Sequence, residues 1–237
     1  FPGGAVAANE FPPGRAGQAE GHRRGLLELE VVGNGIDTAR FHPVDRVAAR
    51  QKYDLPVDAR VLVSVGALVE RKGMHRVIDC LPALIERHSD LHYLIVGGAS
   101  PEGDNRAELD TQVARLGLGE RVHFAGALPP DELKWALSAS DVFVLSTRNE
   151  GWANVFLEAM ACGLPVVSTN VGGNAEVVCR AELGSIVPFG DSAALRQALD
   201  QALSQDWDRA AILDYARANQ WDARVAQLLR AYDHLLC

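Results

Sequence analysis

Cysteine is scarce in this chain and poorly spaced for chemistry. Cys80, Cys162, Cys179 and Cys237 form no C-x-x-C pair and have no nearby His pattern, so neither a metal site nor a disulfide framework is expected. Single cysteines in apolar segments read most simply as free thiols in a reducing cytoplasm. Basic residues are also in short supply: 23 Lys and Arg against 31 Asp and Glu give a formal charge of −8. That balance excludes broad nucleic-acid binding, which needs clustered cations, but one or two placed cations can still hold a small anion. No apolar run approaches the ~18–20 residues of a membrane span. Phe1–Asn9 lacks the basic-then-apolar layout of a signal peptide. The familiar phosphate-loop signatures are missing too. Gly66-Ala67-Leu68-Val69-Glu70-Arg71-Lys72-Gly73 has its Lys before the Gly, unlike Walker A, and no G-x-G-x-x-G follows the first strand. No repeat with a period of ~20–50 residues is evident.

What remains is an ordinary globular composition, 48% hydrophobic and 23% charged over 237 residues, with ample length to bury a core. The first 25 or so residues are rich in Gly, Ala and Pro and carry no apolar period. They are expected to be a flexible leader or a truncated remnant, with one domain over residues 26–237. From Leu26 onward, short apolar runs alternate with amphipathic stretches of helical length. Strands are predicted at Leu29–Val32, Arg60–Val65, His92–Val96, Val122–Phe124, Asp141–Leu145, Pro165–Ser168 and Ser185–Val187. Helices are predicted near Arg46–Tyr53, Met74–His88, Arg106–Leu116, Asp131–Ala139, Val155–Ala161 and Ala175–Val178. A helical tail from about Ser192 to Leu236 breaks near Asn219–Gln220. Val61–Val65 and Val142–Leu145 are continuously apolar, as strands covered on both faces must be. The fold class is therefore α/β: a doubly wound, Rossmann-like parallel sheet. Ligands of such sheets sit beyond the carboxyl ends of the strands, here the loops after Val65, Val96, Phe124 and Leu145.

Two of those loops carry chemistry. After Gly66, Arg71 and Lys72 precede a helix opened at Gly73; two cations and free amides at a helix start make an anion site. Taken alone, the pair reads more readily as solvated charge at a loop. After Leu145 the chain runs Ser146-Thr147-Arg148-Asn149-Glu150-Gly151-Trp152-Ala153-Asn154 into the helix beginning at Val155. Asn154 is expected to cap that helix, leaving the amides around Gly151–Phe156 pointing outward. Glu158 stands one turn into this apolar helix, where a carboxylate is costly without a polar partner. A ribose diol is such a partner. Glu150 can reach ligand hydroxyls, or can be a surface residue.

These segments resemble one family. Glu150-Gly151 through Glu158-Ala159-Met160-Ala161-Cys162-Gly163 is similar to the E-x7-E signature of family-4 retaining glycosyltransferases of the GT-B fold. Asn34-Gly35-Ile36-Asp37, with Phe41 and Pro43, resembles the segment that opens their second domain. Gly66 through Lys72-Gly73 resembles their G-R-L-x-x-x-K-G loop, with Ala67 in place of the usual Arg, and Val171-Gly172-Gly173 with Glu176 resembles their V-G-G-x-x-E turn. The likeness runs from about Val31 to Tyr232. It implies the second half of a GT-B fold, a nucleotide-diphosphate sugar as donor, retention of configuration and no cofactor. It also implies a glycan or lipid-linked acceptor, held by an N-terminal domain missing from this chain. A cytoplasmic enzyme of polysaccharide biosynthesis, peripheral to the membrane when full-length, fits the same picture.

By that resemblance Lys72 contacts the diphosphate, Glu158 the ribose and Glu150 the transferring sugar. Lys72 and Glu150 are the candidate catalytic groups. The donor site is completed by Gly66, Arg71, Leu128 beside the base, and Gly151, Trp152, Ala153, Asn154 and Val155 through their amides. Arg71 either replaces the missing Arg or points to water. Trp152 either packs or stacks on sugar. His75, His88 and His92 read as solvated or satisfied side chains, Asn174 with Glu176 as a helix start, and Trp221 and Tyr232 as packing residues. A stand-alone nucleotide-sugar-binding module without turnover would carry the same site. In full-length relatives the last helix crosses back onto the first domain.

Overall fold

Runs of Val, Ile and Leu just long enough to cross a sheet become its strands, and the amphipathic segments between them become its cover. The structure is a computed structural model that describes residues 33–236. The expected leader and the expected strand at Leu29–Val32 lie outside those residues. The strands are β1 (Arg60–Val65), β2 (Leu91–Val96), β3 (Val122–Gly126), β4 (Val142–Leu145), β5 (Val166–Thr169) and β6 (Gly184–Val187). They form one sheet in the order β3-β2-β1-β4-β5-β6, with every neighbouring pair parallel.

The nine helices among the described residues are α1 (Arg46–Lys52), α2 (Met74–Ile85), α3 (Arg106–Arg115), α4 (Leu133–Ser138), α5 (Asn154–Ala161), α6 (Asn174–Val177), α7 (Ser192–Ser204), α8 (Arg209–Ala218) and α9 (Trp221–Leu236). From β1 the chain winds outward through α2 to β2; from β4 it winds the other way through α5 to β5. Right-handed crossovers in opposite directions place α2 and α5 on opposite faces. Accordingly α2 packs on α3 and α7, while α5 packs on α4 and α8. The strand order reverses between β1 and β4, and that switch point is where such sheets leave a ligand crevice.

The burial is close to complete. Val61, Leu62 and Val63 of β1 and all of β4 are buried, and Phe143 meets Phe156 of α5 edge-on at 5.8 Å. The opposite end of the sheet is stapled by Asp141. Its carboxylate accepts from the Val61 amide at 2.9 Å and pairs with Arg46 and with Arg50, which is 1% exposed. An uncompensated guanidinium at that depth would be strongly destabilising.

Several expected boundaries shift. The tail breaks twice, not once: α7 ends at Ser204, and α8 starts after Asp208, whose side chain accepts from the Ala211 amide at 3.0 Å. No Pro or Gly marks that first break. The predicted helix at Asp131–Ala139 opens as a 3-10 turn at Pro130–Glu132 before α4. The segment at Asn34–Asp37 is tied to the far end of the chain. Ile36 donates to Asn219 O at 3.0 Å, and the Trp221 amide donates back to Ile36 O at 3.2 Å.

Candidate functional site

The loop after β1 and the loop after β4 are bound to each other. The Arg148 amide donates to Arg71 O at 2.7 Å, and Arg76 of α2 donates to Ser146 O at 3.1 Å. The approach is close enough to require glycine. Gly73 adopts a left-handed φ of 78°, and a Cβ there would overlap the Ser146 carbonyl oxygen. The β4 loop rests in turn on the turn after β5. The Gly173 amide donates to Gly151 O at 2.9 Å, and a Cβ on Gly172, at φ 51°, would overlap the Glu150 carbonyl. The Gly-Gly pair is therefore a seat for the Glu150 loop.

On this frame Lys72 and Glu150 meet as a half-buried ion pair, Nζ to Oε1. The Thr147 hydroxyl donates to the same carboxylate at 3.3 Å and to Asn149 O at 3.1 Å. Arg71 lies alongside. Its Nη1 is 3.8 Å from Glu150 and donates to Asn149 O at 3.3 Å, while its fork is engaged by Glu102 of the loop after β2. So the question of Arg71 is settled against free solvent: its guanidinium bridges the loops after β1, β2 and β4. Thr147 and Glu102 escaped sequence reasoning, because a polar residue in a strand-following loop carries no distinguishing pattern.

The start of α5 corrects one expectation. Asn154 is the first helical residue, not the cap; Ala153 occupies that position, with no side-chain cap. The Asn154 side chain instead accepts from Asn34 at 2.8 Å, an interaction across the chain that outcompetes a local cap. The Asn154 amide is spent on Trp152 O and the Phe156 amide on Ala153 O. The amides of Gly151, Trp152, Ala153 and Val155 have no partner among the described residues, and neither do those of Met74 and His75 at the start of α2. Unpaired donors gathered at helix starts suit an anion.

Glu158 is half-buried and has no hydrogen-bonding partner among the described residues. Burial pushes its carboxyl up from the usual range, opposed by the charge of Arg40. Arg40 itself pairs with Asp131 at 2.8 Å, three residues past Leu128. Leu128 is partly buried against the core, in the loop that follows β3, and Arg106 stacks 3.8 Å from the Phe124 ring centroid beside that loop. Glu158 stands apart from the Lys72–Glu150 pair, with no contact between them. Gly66 directly follows β1, its amide bonded to Val96 O at 2.9 Å.

Other expectations resolve as follows. The Trp152 ring lies against Gly33 and Gly173, with its indole N–H buried and unpaired, so the geometry favours packing over stacking. His88 bonds Asp200 and His92 bonds His123, each at 2.9 Å, so both are satisfied. Asn174 donates to Ser168 Oγ and Thr169 O, fixing the turn rather than merely starting a helix. Tyr232 is more than half exposed, contrary to a packing role, whereas Trp221, half exposed, still lays its ring against Gly35. The buried thiols Cys80 and Cys162 are pushed up to about 11 and about 12 by burial, which makes them inert.

Similarity to known proteins converges with this geometry. The family model described as "Glycosyl transferases group 1" matches residues 45–219. D-inositol 3-phosphate glycosyltransferase of Corynebacterium urealyticum is 34% identical over 226 residues, 91% of this chain and 53% of that protein. Sucrose-phosphate synthase of Thermosynechococcus elongatus superposes with a TM-score of 0.72 at 30% identity, over 87% of this chain and 52% of that one. Anabaena HepE, solved in complex with UDP, gives 0.75 at 25% identity, over 86% and 57%. The chain spans about half the length of the curated relatives it matches. No helix among the described residues is long and apolar enough to cross a membrane. A doubly wound sheet, a cationic loop at its switch point and a family match over most of the domain agree: the chain belongs to the group 1 glycosyl transferases, of the GT-B superfamily.

Proposed function

We propose that this chain is the donor-binding half of a retaining glycosyltransferase, taking a nucleotide-diphosphate sugar at the crevice between β1 and β4. The observation that carries the reading is the Lys72–Glu150 pair, together with the four amides that follow Glu150 into α5 and have no partner among the described residues. Transfer with a nucleoside diphosphate leaving demands that negative charge be stabilised as it develops. Lys72, Arg71 and amides fixed by the fold do this without reorganising. Glu150, anchored by Lys72 and Thr147, orients the sugar, a positioning role. Glu158, short of partners, takes the ribose hydroxyls, and the Leu128 loop flanks the base.

The acceptor, a glycan or a lipid-linked glycan, is held by an N-terminal domain, on the same polypeptide or separately encoded, and the hexosyl group crosses the cleft between the halves. Cytoplasmic placement at a membrane surface goes with that acceptor. The chain alone is expected to bind donor without transferring sugar. Calorimetric titration with uridine, guanosine and adenosine diphosphates tests the reading. Micromolar to sub-millimolar binding of one is expected, and silence from all three at millimolar concentration refutes it. A stand-alone binding module would bind equally well. Adding the residues encoded upstream distinguishes it, because a module gains no transfer activity.

A further inference from the structure

The cation best placed to replace the missing loop arginine is already occupied. Arg71 presents Nε and Nη2 to the two oxygens of Glu102 at 2.5 and 2.6 Å, the same fork a phosphate would take. Arg71 and Lys72 together hold Glu102 below the usual carboxylate range. Resting on the donor-binding reading above, we propose that Glu102 stands in for the donor diphosphate: it occupies Arg71 in the free domain and yields it when nucleotide arrives.

Charge and exposure both single out Glu102 as the group that leaves. Two cations, Arg71 and Lys72, face two carboxylates, Glu102 and Glu150, so a diphosphate entering with both carboxylates in place gains no net attraction from these four side chains. Glu150 is held: its side chain is 11% exposed and is bonded by Lys72 and Thr147. The Glu102 side chain is 53% exposed, and Arg71 is its one side-chain partner among the described residues. Its backbone sits in a tight turn, with Ser100 and Gly103 exchanging amide hydrogen bonds at 2.9 and 3.0 Å and the Glu102 amide donating to Ser100 Oγ at 3.2 Å. The side chain therefore rotates away into water without any loop unfolding. Arg71 stays behind, held by its bond to Asn149 O beside the start of α5. Glu102 is thus a positioning residue that keeps the guanidinium extended over the site and sets a threshold for anions too weak to displace a carboxylate.

The test is calorimetric titration of uridine, guanosine and adenosine diphosphates into four proteins: wild type, E102Q, R71A and the double variant. E102Q is expected to bind about threefold tighter and R71A about tenfold weaker, with E102Q adding nothing in the R71A background. The E102Q gain should shrink as salt rises, which a merely structural contact would not do. Unchanged or weaker binding by E102Q overturns the inference alone, as does an equal gain in the R71A background, which would mark general repulsion. A wild-type domain that binds none of the three nucleotides overturns the functional reading and this inference with it.

Discussion

Glu158 sets stability against binding at a single residue. A carboxylate half-buried on an apolar helix, with no partner to accept from, costs free energy that the folded domain recovers only when a ligand donates hydrogen bonds to it. Its carboxyl is raised on folding, so the folded state binds the extra proton and stability falls as pH rises above the ordinary Glu range. Glu158→Gln removes that cost. The variant is expected to melt higher than wild type at pH 7 and to bind nucleoside diphosphate about tenfold more weakly. Lys72→Ala should lose a similar factor while keeping its far-ultraviolet circular dichroism. A Glu158→Gln protein that melts lower would make Glu158 structural. At this scale Glu158 stands out in the sequence as a charge inside an apolar run, whereas Lys72 and Glu150 sit in polar loops and are singled out by the family resemblance of those loops. Their pairings were not legible. Nothing local in the sequence brings Glu102 to Arg71 or Asn34 to Asn154, since these contacts depend on how four loops fold over one sheet edge.

Elements were read more completely than residues, for a physical reason. A buried parallel strand must be apolar throughout, so β1 and β4 declare themselves. The break at Gln205–Asp208 depends on a single capping aspartate and does not. The pairing of β2 with β3 brings a feature the strand pattern cannot show. His92 and His123 hydrogen-bond at 2.9 Å near the edge of the sheet, beside Arg121. Burial first, then the charges of His123 and Arg121, lower His92 to about 4, and burial lowers His123 as well. A histidine depressed on folding binds its proton more readily when unfolded. The stability it confers is therefore full above about pH 6.5 and is lost as pH falls towards about 4. Denaturant titrations between pH 7 and 4 should show a slope of about 1.4 kcal/mol per pH unit per proton taken up. His92→Gln should flatten that slope. An unchanged slope in the variant would assign the acid sensitivity to the carboxylates instead.

For the whole molecule, the two ends of the described chain close on each other at Ile36 and Trp221, and α9 continues outward from that clasp. Trp221, Val225, Leu228, Leu229 and Tyr232 are 43 to 58% exposed on it, a contiguous apolar stripe of the kind that soluble surfaces avoid. Amides after about Ala223 are expected to exchange faster than those of β1 and β4, or light scattering should show self-association through this face. A monomer whose α9 is as protected as β1 would contradict both and would favour a self-sufficient module.

The central claim is that the unpaired amides at the switch point receive a diphosphate, and amide chemical-shift mapping tests it most directly. Titrating uridine or guanosine diphosphate into the nitrogen-15-labelled chain should move the amides of Gly151, Trp152, Ala153 and Val155, together with those around Lys72 and Met74. The His92 and His123 amides at the other end of the sheet should stay still. Saturable shifts confined to residues away from these loops, or no shifts at all, would contradict the account.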